Sequence, residues 1–281
     1  MIKQQSFKNE LPTLYLVATP IGNLQEMTPR AIEILKTVDI VAAEDTRNAR
    51  KLFSHFDIET KLISHHAHNE HESSQGIIDL LHNHSSVALI SDAGYPLISD
   101  PGQTLVRDVI AAGYNVVPIS GASAFLNALV ASGLVAQPFA FMGFLEHKEN
   151  QLKKQLEKDR DLPMTTVYYL SVHKLAKTLE IVYDVLGNRQ ICLVRELTKM
   201  HEEFIRGSVT EVIDAVDVIK GEFVLVIEKN SVEEIVTFET LISQIDDAIS
   251  EGNSVSRSIS LVAKRNNVSK NDLYAQYHES K

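Results

Sequence analysis

Glu44-Asp-Thr-Arg47 sets two carboxylates and a guanidinium within four residues. One acid there could take a proton or accept a substrate hydrogen bond, while Arg47 pairs with Asp45 or grips a phosphate. The same stretch also reads as a helix start capped by Asp45 or Thr46, with Arg47 in solvent. His65-His-Ala-His-Asn-Glu-His71 gathers four histidines and an acid, which raises a metal. It contains H-x-x-H but not H-E-x-x-H, and no neighbouring Cys or Asp cluster completes four ligands, so no metal site is assigned. A substrate-contacting loop or a turn capped by Asn69 explains it as well. Arg195-Glu-Leu-Thr-Lys199, followed by His201-Glu-Glu203 and Arg206-Gly207, is a charged stretch that a solvated hairpin would also produce.

Three loops rich in glycine, proline and small polar residues complete the set: 19–23 (TPIGN), 91–102 (SDAGYPLISDPG) and 120–124 (SGASA). Turn chemistry explains any one of them alone. The second is longer than an ordinary connection, a mark of function. Neither G-x-G-x-x-G nor G-x-x-x-x-G-K-[ST] occurs, so dinucleotide and triphosphate cradles lack their mechanism. There is no G-x-S-x-G elbow, and the single cysteine, Cys192, sits inside an apolar run, which excludes a disulfide framework and a thiol nucleophile.

These motifs need a scaffold, and the apolar pattern supplies one. Short apolar runs at 14–19, 40–43, 61–64, 87–91 and 115–119 alternate with helical periods at 29–38, 47–56, 72–82, 101–112 and 123–132, which predicts parallel strands with crossover helices. Each glycine-rich loop then follows a strand, at the edge where α/β sheets bind ligands. Thr28-Pro29 and Asp100-Pro101 read as capped helix starts, and Gly113 as a helix stop. From Gln137 the pattern becomes a mixed sheet, with strands at 139–144, 166–170, 191–195, 203–206 and 222–228 and helices at 148–160, 175–186 and 209–218. Helical segments at 238–250, 255–266 and 271–278 read as an appendage without a core of its own.

With 27 basic and 37 acidic residues among 281 the net charge is −10, which argues against a general nucleic-acid binder. The composition is globular, no apolar run approaches a membrane span, and the first residues hold no signal-peptide core, so the expected compartment is the cytoplasm.

In this order, Thr19-Pro-Ile-Gly-Asn-Leu24, Glu44-Asp-Thr-Arg47, His68-Asn-Glu70, the 91–102 loop and Arg195-Glu-Leu-Thr-Lys199 resemble the ribosomal RNA small subunit methyltransferase I family, a branch of the tetrapyrrole methylases. The likeness runs from about Leu14 to Glu228. Tyr95, Ser120 and Glu146 depart from its pattern, and Leu170-Ser-Val-His-Lys174 matches it loosely. The resemblance implies two α/β domains (1–122 on the substrate side, 123–235 on the cofactor side) over a cofactor cleft, plus a helical appendage at 236–281. It implies methylation by S-adenosylmethionine of a cytidine ribose 2′-hydroxyl in 16S ribosomal RNA, by a homodimer acting on small-subunit RNA or the assembled subunit. On that footing Pro20, Gly22, Asp92, Ala93, Gly94, Ser123, Ala124, Leu170, Ser171, Gly221, Glu222 and Phe223 hold the cofactor. Glu44, Asp45, Arg47, Asn69 and Glu70 position substrate and handle its proton. From the charge run itself, Lys148, Lys153, Lys154, Lys158 and Lys199 are the expected RNA contacts, with Arg160, Lys174, Lys177 and Arg195 as neighbours, and an ordinary solvated helix face explains the run equally well. Alternatives are a precorrin or uroporphyrinogen C-methyltransferase of the same fold, a metal-dependent hydrolase using His65 to His71, and a catalytically silent ribosome-binding factor.

Overall fold

The structure, a computed structural model, describes all residues except 1–2, 7, 67–69, 84, 172–174, 217–219, 231–237, 267 and 280–281. Strands β1 (Thr13–Val17), β2 (Ile40–Ala43), β3 (Lys61–Ser64), β4 (Val87–Ile90) and β5 (Asn115–Ile119) form a sheet in the order β3-β2-β4-β1-β5, with every pair parallel. Parallel strands carry helices on both faces, so their side chains are apolar in both directions. Val41, Ala88 and Ile90 pack under α1 (Pro29–Thr37) and α2 (Thr46–Phe56), while Ala42, Val87 and Leu89 pack under α3 (Glu70–His82) and α4 (Gln103–Ala111).

Local chemistry sets the helix ends. The Thr28 hydroxyl accepts the Ala31 amide at 3.2 Å, and Asp45 accepts the Arg47 amide at 2.8 Å. Gly113 follows α4 with φ +85°, the left-handed stop that glycine permits. Asp100-Pro101 is a correction: α4 begins at Gln103, with Gly102 as its cap and no side-chain capping bond. The Gly102 amide donates to Glu70 Oε1 at 3.1 Å, so a carboxylate from α3 satisfies that end and Asp100 turns to Ser91.

The second sheet runs β6-β7-β10-β8-β9, from β6 (Phe139–Phe144), β7 (Thr165–Leu170), β8 (Gln190–Arg195), β9 (Glu203–Ser208) and β10 (Phe223–Ile227). Only β6 and β7 pair in parallel; the other pairs are antiparallel. Helices α6 (Glu149–Asp159), α7 (Leu175–Leu186) and α8 (Val209–Ala215) cover one face. The other face takes α5 (Ala124–Ala131), which directly follows β5 of the first sheet, and it takes Ile21 from the loop after β1. The two sheets are thereby joined through the very loops singled out above.

Residues Met1–Lys229 form one compact unit and Asn230–Lys281 another. The second contains α9 (Phe238–Ser250), α10 (Val255–Arg265) and α11 (Lys270–Glu279). Leu241, Ile245, Ile259, Val262 and Leu273 pack together there, and Tyr277 Oη donates to Asp246 at 2.7 Å. This segment has an apolar cluster of its own, contrary to expectation. Three short stripes that each look weak in sequence close on one another.

Candidate active site at the carboxyl edge of the parallel sheet

Strand order explains why distant motifs meet. Because β2, β4, β1 and β5 are successive neighbours, the stretches 44–47, 91–102, 19–23 and 120–124 emerge side by side. The chain leaves β1 and β4 in opposite directions across the sheet, which opens a crevice between their ends. Thr19 and Gly94 close that crevice at its base by exchanging backbone hydrogen bonds of 2.9 and 3.0 Å. The Gly121 amide donates to Tyr95 Oη at 3.2 Å. A Cβ on Gly121 would lie 2.7 Å from that of Ala18, so only glycine lets the loops after β1 and β5 approach this closely. Gly94 has φ +76°, a conformation glycine adopts without strain.

Two hollows flank this bridge. The larger, about 470 Å³, is lined from the first sheet by Ile21, Ala93, Gly94, Tyr95, Ser99 and Asp100, from α5 by Ser123 and Ala124, and from the second sheet by Tyr169, Leu170, Ser171, Leu197, Gly221, Glu222 and Phe223. The smaller, about 230 Å³, is lined by Pro20, Gly22, Leu24, Asp45, Asn48, Lys51, Leu52 and Asp92 among others. Successive residues of the bridged loops thus face opposite spaces, Ile21 and Gly94 one way, Pro20 and Asp92 the other.

Along the seam between the hollows Asp92 lines the smaller and Asp100 the larger, and Glu44, which lines neither, stands within electrostatic reach of both. Glu44 is half-buried, and desolvation, then Asp100 and Asp92, raise its pKa against a hydrogen bond from the Asp92 backbone that lowers it. Burial likewise raises Asp100, with Ser91 offsetting part of the effect and Asp92 adding to it. Burial raises the Tyr169 phenol too. Asp45 behaves oppositely: Arg47 donates to it from Nε and from a terminal nitrogen at 2.6 Å, holding its carboxyl at about 2. Arg47 itself is exposed.

The structure therefore gathers Ala93, Gly94, Ser123, Ala124, Leu170, Ser171, Gly221, Glu222 and Phe223 around one space, and places Pro20, Gly22 and Asp92 across the bridge from it. Glu70 lies behind the 91–102 loop, bonded to Gly102. Asn69, His68 and Lys174 fall outside the described residues, and among the described residues no group of three or more His, Cys, Asp or Glu is placed to hold a metal ion. Lys153 and Lys177 both pair with Glu149, at 3.2 and 2.6 Å. Lys199 bridges Glu196 and Glu222 at 3.2 and 2.9 Å, on the loop between β8 and β9 rather than on α6. Lys154 and Lys158 are exposed on α6, and Lys148 precedes it. Sequence reasoning missed Asp100, Tyr95, Tyr169 and Asn48. Asn48 follows Asp45 by three residues on α2, a spacing that places both on one helix face.

Residues 13–213 match the family model of the Tetrapyrrole (Corrin/Porphyrin) Methylases, the class that these two sheets and their shared hollow define. Solved structures of other proteins share the fold. The uroporphyrin-III-C-methyltransferase of Thermus thermophilus aligns with TM-score 0.55 at 18% identity, over 77% of this chain and 94% of that one. A diphthine synthase aligns with TM-score 0.61 at 13% identity, over 77% and 90%. In sequence the chain is 46% identical to the Ribosomal RNA small subunit methyltransferase I of Bacillus subtilis (strain 168), over 98% of each chain. It is 44% identical to the protein of that name from Halalkalibacterium halodurans, over 99% of this chain and 100% of the relative, and 42% identical to that of Synechocystis, over 93% and 95%. The chain belongs to the ribosomal RNA small subunit methyltransferase I family.

Proposed function

We propose that this enzyme transfers a methyl group from S-adenosylmethionine to the 2′-hydroxyl of a cytidine ribose in small-subunit (16S) ribosomal RNA. The observation that carries the reading is the convergence of three sheet-edge loops on a hollow lined by Asp100, a carboxylate within electrostatic reach of Glu44, in a chain 46% identical over 98% of its length to a ribosomal RNA small subunit methyltransferase I.

The larger hollow fits the donor. Its size is that of small-molecule cofactor sites, and its apolar wall of Leu197 and Phe223 suits an adenine. Asp100 suits a ligand with positive sulfur and ammonium groups. Ser123 caps α5 without a side-chain bond, which leaves helix amides for a carboxylate. When bound, S-adenosylmethionine supplies an electrophilic methyl and departs as neutral S-adenosylhomocysteine.

The residues do the rest. Ala93, Gly94, Ser123, Ala124, Leu170, Ser171, Gly221, Glu222 and Phe223 hold the donor, while Pro20, Gly22 and Asp92 form the wall against which the acceptor is aligned. Alignment is the main contribution to an in-line displacement. Glu44 takes the hydroxyl proton and passes it to water, and its raised pKa makes it a better base than an ordinary carboxylate. Asp45 and Arg47 fix the start of α2, and Glu70 fixes the 91–102 loop through Gly102, with Asn69 beside it in sequence. Lys148, Lys154 and Lys158 hold RNA phosphates. The target nucleotide enters splayed from its neighbours, because a ribose must reach a narrow seam. We further propose two domains, 1–122 and 123–235, facing each other over the hollow, the segment 236–281 as appendage, and a cytoplasmic homodimer.

The test is transfer of labelled methyl to small ribosomal subunits lacking the modification. The expected product is ribose-methylated cytidine in the small-subunit RNA. Label entering only a precorrin or uroporphyrinogen would replace this reading by C-methylation of a tetrapyrrole.

A further inference from the structure

We infer that the smaller hollow is the pocket for the target base, and that Asp92 and Asn48 read its amino edge. The inference rests on the methyl-transfer reading above. At about 230 Å³ this space is half the size of its neighbour, too small for the donor and suited to a single pyrimidine ring. Pro20, Leu24 and Leu52 line it, and Leu24 stays 40% exposed at its edge, an apolar surface that a base face would cover.

The polar groups are arranged as a donor beside an acceptor. Asn48 Nδ2 donates to Asp92 Oδ2 at 2.8 Å, and Lys51 Nζ donates to Asn48 Oδ1 at 3.4 Å, which orients the amide with its nitrogen toward the carboxylate. That leaves the second N–H of Asn48 and the second oxygen of Asp92 next to one another. Cytosine presents the complement, an N4 amino donor beside the N3 acceptor. Uracil presents the reverse, so its O4 would meet a carboxylate and its N3–H an amide donor. The pair spans α2 and the loop after β4, held together because β2 and β4 are neighbours. The Asp92 backbone also hydrogen bonds Glu44, so a base held here carries its ribose to the seam where the proton acceptor stands.

Small subunits reconstituted on transcribed 16S RNA, with cytidine or uridine at the methylated position, test this with labelled S-adenosylmethionine. The readout is the ratio of kcat/KM for the two RNAs, which any loss of folded enzyme cancels. The enzyme is expected to prefer cytidine by roughly 5- to 150-fold, the range of one bidentate base contact. Asp92→Asn combined with Asn48→Asp, which exchanges acceptor and donor, should lower that ratio about tenfold or more while donor KM stays within about twofold. The single changes Asp92→Ala and Asn48→Ala should lower it as well. An unchanged ratio in all three variants overturns the inference, and so does a raised donor KM with the ratio intact, which would assign Asp92 to the donor. Equal methylation of both RNAs by the unaltered enzyme removes the base pocket alone; methylation of neither removes the methyl-transfer reading and the pocket with it.

Discussion

Asp100 sits half-buried near Asp92 and Glu44, and burial raises its pKa. An acid whose folded pKa lies above its unfolded value binds more protons folded than unfolded, so its contribution to stability is largest at low pH and is lost as pH rises through the folded pKa. Asp100→Asn is therefore expected to raise the Tm of the ligand-free protein at pH 8, with the gain shrinking toward pH 4 in scanning calorimetry. Binding should rank the two proteins the other way. The variant loses about tenfold in affinity for S-adenosylmethionine, the scale of one charged contact, and less for S-adenosylhomocysteine, whose sulfur is neutral. Equal losses for both ligands in isothermal titration would show that Asp100 does not face the sulfonium. The sequence marks this residue as a helix cap because an Asp before a proline looks the same whether its carboxylate caps amides or lines a hollow. Only the Glu70 contact with Gly102 tells the two apart, and it joins residues 32 apart in the chain.

Elements carry the next level of the site, because the loops work only if their strands are neighbours. The loops after β1 and β5 touch where Gly121 meets Ala18, with no room for a side chain. Gly121→Val is expected to cost about 1–3 kcal/mol, the usual penalty for overpacking, and to weaken donor binding, since Ser123 and Ala124 start α5 three residues on. Urea denaturation with and without S-adenosylhomocysteine separates the two effects: a variant with lower stability but unchanged ligand stabilisation would show that the loop contact does not shape the hollow. The elements themselves were legible, since strands at 40–43, 61–64 and 115–119 and helix 175–186 fall where the apolar periods put them. Their order was not. Placing β4 between β2 and β1 is what turns scattered motifs into one edge, and no local pattern encodes it.

Across the whole molecule the difficulty is charge, since a chain of net −10 must grip a polyanion. Counting lysines overstates the grip. Lys153 and Lys177 share Glu149, and Lys199 is held between Glu196 and Glu222, so these cations are already paired within the protein. Lys148, Lys154 and Lys158 remain at or along α6 as the candidate phosphate contacts. Each phosphate contact releases counterions and adds about 0.7–0.9 to the slope of log affinity against log salt. Replacing all three lysines by alanine should therefore flatten that slope by about 2–3 for small-subunit RNA, measured by filter binding across a salt series, while Lys153→Ala barely changes it. A slope untouched by the triple change would place the RNA elsewhere. A slope that falls equally with Lys153→Ala would mean that its pairing with Glu149 opens when RNA binds, leaving α6 a broader basic face than the free protein presents.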